Sequence, residues 1–510
     1  MREPRVLRRM RGWRSPIAVM CAGVSFAVAL ALTACAPEVR PPAFVPHDTV
    51  PLAGLPTGQA GWPEPEWWKS YGDRQLDRLM ELAMRGSPDL EQAQARYRAA
   101  AVAVDTQRAQ LKPQVQGLLN GAHGYSDVDL HGQAPGASGS AQGIELSPGH
   151  SWSNSGVAGA LFRWDLDLWG KQKAAVAAAV GQANAAQAER ATVASSLQYN
   201  IAATYFDWQA TQARLGVAHE AEATAGAYRD LVNKRVHAGL DDPQMLDTAD
   251  AQLAQQRRAT VMLEGIASLD LAQIAALAGV SPQELGALSP RPLPQPDAEL
   301  PPDARLGLIA RRPDIVAARW QIEAASRGID QARAAYYPDI SLSALAAYLR
   351  IYPNLGSGER TDLTIGNIGP SVQLPIYSGG RLRAQFESSQ AQLDSAVASY
   401  NHTVVQAAHD VAQQVLTLRQ IDAARHQQDQ ELAARSQLAA RADKRRRQGI
   451  DDDRQYLSGL LQVDQQRDTQ LQLKSQMLST DLSLIHALGG GYRADNVPAL
   501  PAAVAKDEAR

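Results

Sequence analysis

The residues equipped for chemistry are few, and most of them are aspartates. Five stand in two short runs, Asp241 and Asp242, then Asp451, Asp452 and Asp453. Each run follows a glycine and a basic cluster, Lys234-Arg235 in the first and Lys444 to Arg447 in the second. Asp165 and Asp167 lie two apart in an alternating stretch, so in a strand they face the same way. Paired carboxylates can act as acid and base or hold a metal, but no histidine, thiol or nucleophile motif accompanies either set. The sequence has no HExxH, P-loop, GxSxG or cysteine pair. His402 and His409, seven apart, share a helix face and read as solvated or interhelical residues. These observations predict no enzyme, no cofactor and no metal site.

The acidic runs have a plain structural use. An Asp at the start of a helix caps its free N–H groups and suits its dipole, while Lys and Arg suit the end of the helix before it. Asp165 and Asp167 fit the polar side of a strand whose other side carries Trp164, Leu166 and Leu168. On a membrane-crossing strand that polar side would line a pore.

Cys35 has a different setting. Six arginines within residues 1–14 precede an apolar run from Ile17 to Leu32, and Leu32-Thr33-Ala34-Cys35 follows. The pattern resembles the bacterial lipoprotein signal, cut before a cysteine that then carries lipid as N-palmitoyl and S-diacylglycerol groups. An uncleaved membrane anchor is the alternative, but the run of 16 residues is short for a span. Cys21 falls within the removed segment 1–34, so no thiol remains for a disulfide. Formal charge is −3, and removing the basic leader makes the chain more acidic, which excludes a nucleic-acid binder built on a basic face.

These residues hang on a few long elements. Lys171 to Ala238 is 68 residues without proline, rich in helix formers, with a stripe at Leu197, Ile201, Tyr205, Trp208 and Leu215. Arg381 to Gln448 is another 68, without proline or glycine, with a stripe through Val397, Tyr400, Val404, Ala408, Val411, Val415 and Leu418. As single helices each would run to roughly 100 Å. Gln114–Gly124 and Gly156–Trp169 read as strands joined by a polar loop, Tyr125 to Ser155. Asp339–Arg350 and Thr364–Tyr377 read as a second pair with a shorter loop. Strands of this length can cross a bilayer at a tilt.

The chain is a duplication. Pro88-Asp89-Leu90 matches Pro313-Asp314-Ile315, and Pro113 matches Pro338, both 225 residues on. Gly170 to Gly239 spans 69 residues, as does Gly380 to Gly449. The expected divisions are a signal peptide 1–34, an anchored tether 35–70, a first repeat 71–280, a connector 281–302, a second repeat 303–490 and a flexible tail 491–510. The first hairpin covers 113–169 and the second 338–377, with long helices at 171–238 and 381–448.

Arg311-Arg312-Pro313-Asp314-Ile315, Trp164-Asp165-Leu166-Asp167-Leu168-Trp169-Gly170, Tyr337-Pro338-Asp339-Ile340 and the closing Ala487-Leu488-Gly489-Gly490-Gly491 occur in one order. That order resembles the outer-membrane efflux family, the TolC-like proteins, and within it the NodT-type lipoproteins. The resemblance implies an α+β fold: a membrane β-barrel, four strands per chain and 12 in a homotrimer, continuing into an α-helical periplasmic tunnel. It implies the exit duct of a tripartite efflux pump in the outer membrane, exporting drugs or toxic compounds. Its partners would be a periplasmic adaptor (membrane fusion) protein, an inner-membrane transporter, foremost of RND type, and outer-membrane lipid. It also gives the acidic turns a second use, a periplasmic gate formed by Asp451, Asp452, Asp453, Arg445, Arg454, Asp241 and Asp242. An export duct for a secreted protein (type I secretion) is the alternative within the fold, and a lipid-anchored coiled-coil scaffold is the alternative outside it.

Overall fold

The computed structural model describes residues 37–47, 49, 61–128, 149–296, 301, 304–353, 361–494 and 497–498. Cys35, the signal segment 1–34 and most of the tail 491–510 lie outside the described residues. In chain order a 3-10 turn, Trp67–Tyr71, precedes helices α1 (Arg74–Gly86) and α2 (Pro88–Ala109) and strands β1 (Gln114–Val128) and β2 (Gly149–Leu166). The long helix α3 (Lys171–His237) and the return helix α4 (Pro243–Ala278) close the first half. The second half repeats the order: α5 (Ala304–Arg311), α6 (Pro313–Ala334), β3 (Asp339–Pro353), β4 (Thr361–Gln373), α7 (Arg381–Arg447) and α8 (Asp453–Ala487). Each long helix is unbroken over 67 residues. The chain forms two compact units, and each half contributes to both.

The first unit gathers Ala103–Ala179 and Ala325–Gln392. Its core is one antiparallel sheet in the order β1-β2-β3-β4. Register pairs Gln114 with Arg163, Phe162 with Ala344, and Ala344 with Ile368. Residues directly opposite share a face. Val115, Phe162, Ala344 and Ile368 therefore lie on one face, and Gln114, Gln116, Arg163, Asp165 and Ser343 on the other. Pro113 and Pro338 stand just before β1 and β3, where a missing N–H costs no ladder bond.

The strands depart from expectation at their ends. The predicted loop from Tyr125 to Ser155 begins and ends as strand, because Tyr125 still pairs with Trp152 and Val128 with Gly149. Its turn signals, Gly and Ser, are held in the ladder by cross-strand pairs such as the stacked rings of His123 and Trp152. At the other end β2 stops at Leu166 rather than Trp169, and β4 at Gln373 rather than Tyr377. Leu168 N bonds Leu166 O at 2.9 Å, a turn that ends the alternation. Gly170 follows at φ 77°, a left-handed conformation open to glycine, and Gly380 at φ 86° does the same before α7.

The second unit comprises Pro42–Val102, Val180–Ala324 and Leu393–Arg510. α1 starts at Asp73, whose carboxylate accepts from Gln75 N at 2.9 Å. Leu76, Leu79, Met80 and Ala83 form its buried face, the i, i+3, i+4, i+7 pattern of an amphipathic helix. They join Trp67, Trp68, Ile201, Tyr205, Trp208, Ile274, Leu478 and Leu482 in one core. The predicted stripe of α3 is buried at Leu197, Ile201, Tyr205, Trp208 and Leu215, and that of α7 from Val397 to Leu418. α3 also buries small side chains, among them Ala183, Ala185, Ala188, Ala202, Ala221 and Ala225. The connector after α4 is pinned as well: Gln75 exchanges two hydrogen bonds with Ser289, and Gln209 accepts from Arg291 N at 2.7 Å.

Candidate functional site: the charged turns

The two long helices end alike. Gly239 (φ 70°) follows α3, and Gly449 (φ 71°) follows α7. Leu240 N bonds Arg235 O at 2.9 Å, and Ile450 N bonds Arg445 O at 2.9 Å, the six-to-one closure of a glycine-terminated helix. The next helix starts three residues on, at Pro243 and at Asp453. Asp242 accepts from Gln244 N at 2.8 Å, and Asp452 accepts from Arg454 N at 3.1 Å. The second aspartate of each turn is therefore an N-cap.

The first aspartate of each turn pairs backwards onto its own long helix. Arg235 grips Asp241 with two bonds, 2.8 and 3.2 Å, and Arg445 reaches Asp451 at 2.9 Å. These arginines stand six residues before their partners in both repeats. Asp453 meets Arg446 at 3.2 Å, and Asp443 holds Arg446 at 2.8 Å and Arg447 at 2.6 Å. The Arg446 guanidinium also lies 4.7 Å from the Tyr456 ring centroid.

Two arginines join the two turns. Arg454 Nη1 reaches Asp241 at 3.1 and 3.2 Å while its Nε bonds Asp452 at 2.7 Å. Arg235 answers with Asp452 at 3.6 Å. Asp241 is thus enclosed by two guanidiniums, and its side chain is only 7% exposed. Hydrogen bonding from Arg235 holds its carboxyl below the usual range, with the charges of Arg235 and Arg454 acting the same way. All seven residues predicted for the turns, Asp241, Asp242, Arg445, Asp451, Asp452, Asp453 and Arg454, lie in the two ion-paired turns. Arg235, Asp443 and Arg446 complete them. Arg235 was legible as the register match of Arg445, but Asp443 carried no signal of its own.

The two predicted strand aspartates part company. Asp165 lies on β2 and pairs with Arg163 at 3.0 Å, two residues away on the same face. Asp167 does not belong to the strand. Its carboxylate accepts from Gln172 N at 3.1 Å and Lys173 N at 2.9 Å, capping the start of α3. Orphan N–H groups at a helix start outcompete a strand position once Gly170 turns the chain. His402 and His409 are exposed on α7, and no group of three His, Cys, Asp or Glu suited to a metal occurs among the described residues.

The most specific sequence motif also has a geometry. Arg312 forks onto Asp314 at 2.7 and 3.1 Å and reaches Asp410 at 3.2 Å and the Ala487 carbonyl at 3.0 Å. It joins α6, α7 and the C-terminal end of α8, whose dipole favours a cation. Its neighbour Arg311 lies over the Trp62 ring at 4.6 Å.

Among the described residues the chain combines a four-stranded sheet, with β1 and β4 at its edges, and two 67-residue helices that end in charged turns, the parts of a membrane-channel subunit. Residues 79–280 and 307–490 match the sequence model of the outer membrane efflux proteins, and the chain belongs to that family. It is an outer-membrane efflux channel. The chain is 29% identical over 467 residues to the multidrug resistance outer membrane protein MdtP of Escherichia coli K12, covering 90% of this chain and 92% of that one. It is 34% identical over 334 residues to the fusaric acid resistance protein FusA of Burkholderia cepacia, 65% of this chain and 61% of that one. The fold is similar to that of the outer membrane protein VceC of Vibrio cholerae, with a TM-score of 0.70 and 30% identity over 85% of this chain and all of that one.

Proposed function

We propose that the protein is the lipid-anchored exit duct of a tripartite pump that expels small toxic molecules. The observation that carries this is the sheet. Among the described residues β1 and β4 each pair on one side alone, and open edges are not viable in lipid. Three copies placed edge to edge give twelve strands, an even-numbered closed barrel. The face bearing Val115, Phe162, Ala344 and Ile368 would meet lipid, and the face with Arg163 and Asp165 would line the pore. Cys35 would carry the lipid. An adaptor would dock at the charged turns, and an inner-membrane transporter of RND type would supply the energy.

In this assembly the turns act as a gate. Capping and ion pairing are not rivals here, because Asp452 does both, while Asp242 caps and Asp241 pairs. Asp242 and Asp452 start helices, while Asp241 and Arg454 tie one turn to the other.

The test combines two measurements. Purified protein in a planar bilayer should conduct as a trimer, and deleting the gene should sensitise cells to small toxic compounds. A protein that passes no current would be a scaffold. A conducting protein whose loss blocks release of a secreted polypeptide, with compound tolerance unchanged, would be a secretion duct.

A further inference from the structure

The sheet face with Arg163 and Asp165 is not polar along its whole length. Register sets its residues in rows across the four strands, two positions apart. One row joins Gln114, Arg163, Ser343 and Gly369. The next joins Gln116, Leu161, Leu345 and Asn367, amides at the edges and leucines between. Then come Leu118, Gly159, Ala347 and Ile365, followed by Asn120, Val157, Leu349 and Leu363. Beyond them Ala122 pairs with Ser155. Charge and amides therefore give way to aliphatic side chains halfway along the face.

The opposite face is apolar at this height as well, with Leu119 and Ala158 in one row. Lipid accounts for one apolar face of a membrane strand but not for both, because a barrel wall that meets water is polar. Nor do the aliphatic side chains bury one another within the sheet. Leu118 is 42% exposed, Leu363 43% and Ile365 39%. Side chains fill the interior of an eight-stranded barrel, and twelve strands make a wider one, so these side chains stay open to the lumen.

We infer that Leu118, Leu161, Leu345, Leu349, Leu363 and Ile365 form an apolar collar in the barrel, and that the collar favours amphipathic small molecules. The apolar part of such a molecule lies on the aliphatic rows, and its polar part meets the amides of Gln116 and Asn367. This names the cargo class of the duct proposed above and rests on its threefold barrel, which repeats the collar three times around the lumen. The contact is one-sided, so it holds a molecule weakly enough to let it leave, as conduction requires.

The test uses the purified full-length channel in a planar bilayer. Alkyltrimethylammonium ions are the probes, and the duration of current interruptions is the readout. The head is constant and the tail runs from methyl to hexyl. Burying a CH2 completely changes binding about fourfold, and a wall covers roughly half of it, so each added CH2 should lengthen the interruptions about twofold. The triple variant Leu118→Gln, Leu349→Gln, Leu363→Gln puts amides, as at Gln114 and Gln116, into the aliphatic rows. Hexyl interruptions should shorten there to nearly those of the methyl ion. Interruptions independent of tail length in the unaltered channel, or a tail dependence kept in the variant, would overturn the collar. If the triple variant does not assemble, Leu349→Cys carries the same test. A charged thiol reagent should shorten hexyl interruptions in that channel and leave them unchanged in Ile368→Cys, on the other face. The reverse pattern would turn the collar to the lipid and end the proposal. A protein that passes no current fails the exit duct and the collar with it, whereas one that conducts without distinguishing tails fails the collar alone.

Discussion

Arg454 donates through Nη1 to both carboxylate oxygens of Asp241, and the two residues belong to different repeats, 213 positions apart. Among the described residues of the two turns, Arg454–Asp241 and Arg235–Asp452 are the ion pairs that cross from one to the other. Arg454→Gln should loosen the turns while leaving both N-caps in place. Single-channel conductance should rise, and cells should admit large antibiotics that the closed duct excludes. Asp242→Ala removes a cap without touching either of these pairs and should cost about 1 kcal/mol in thermal stability. Unchanged conductance in Arg454→Gln would leave these pairs as simple braces. Acid offers a second handle. The Asp241 carboxyl is depressed, so its contribution is complete above the unfolded value and is lost as pH falls through the folded one. The tie should therefore weaken only below roughly pH 4, near the ordinary aspartate value, and conductance recorded down a pH series would reveal it.

His486 gives a pH dependence of its own. Its ring stacks on Tyr199 at 5.2 Å and meets Ser195 Oγ at 3.2 Å. Burial first, then the charge of Arg312, pushes its pKa below the ordinary value of 6.5, against opposing pulls from Asp314 and Asp410. The unfolded chain then binds the proton more readily than the folded one. Stability is complete above about pH 6.5 and falls as pH drops toward the folded value, by at most about 1.4 kcal/mol per pH unit. Melting curves between pH 7 and pH 5 should show this slope, and His486→Gln should flatten it.

The closing glycines can be tested against a glycine with room around it. Gly489 has φ 100°, and a Cβ there would run into the Arg311 carbonyl. Gly489→Ala should destabilise the fold by more than the roughly 1–3 kcal/mol of backbone strain alone. Gly226 lies within α3, and among the described residues nothing beyond its own helical turn lies within 4 Å of an added Cβ. Gly226→Ala should stabilise by about 1 kcal/mol, since alanine is the better helix former. Equal effects in a melting experiment would contradict the close approach at Gly489.

The long elements were legible because they are periodic. The stripes at Leu197–Leu215 and Val397–Leu418 are buried as their spacing implied, and the duplication fixed where each strand pair would fall. Asp242 and Asp452 were legible as caps because a cap depends only on residues two or three places away. The misread positions lie at boundaries. Asp167 continued the alternation by type, yet the turn at Gly170 placed it beside free N–H groups. The strand ends near Tyr125 and Gly149 were hidden by small polar residues, which pair with a partner strand that local propensity does not see. The Arg454–Asp241 pair and the hydrogen bond from Asn401 Nδ2 to the Val45 carbonyl join segments more than 200 residues apart, and nothing in either segment announces the other.

The unpaired edges of β1 and β4 bear on inheritance as much as on architecture. If each copy completes the wall of its neighbour, a faulty sheet in one copy spoils the ring it joins. A cell making sound and faulty chains together would keep far fewer working ducts than its share of sound chains. Lesions in β1 or β4 should therefore behave as dominant, whereas a chain that never reaches the membrane should be recessive.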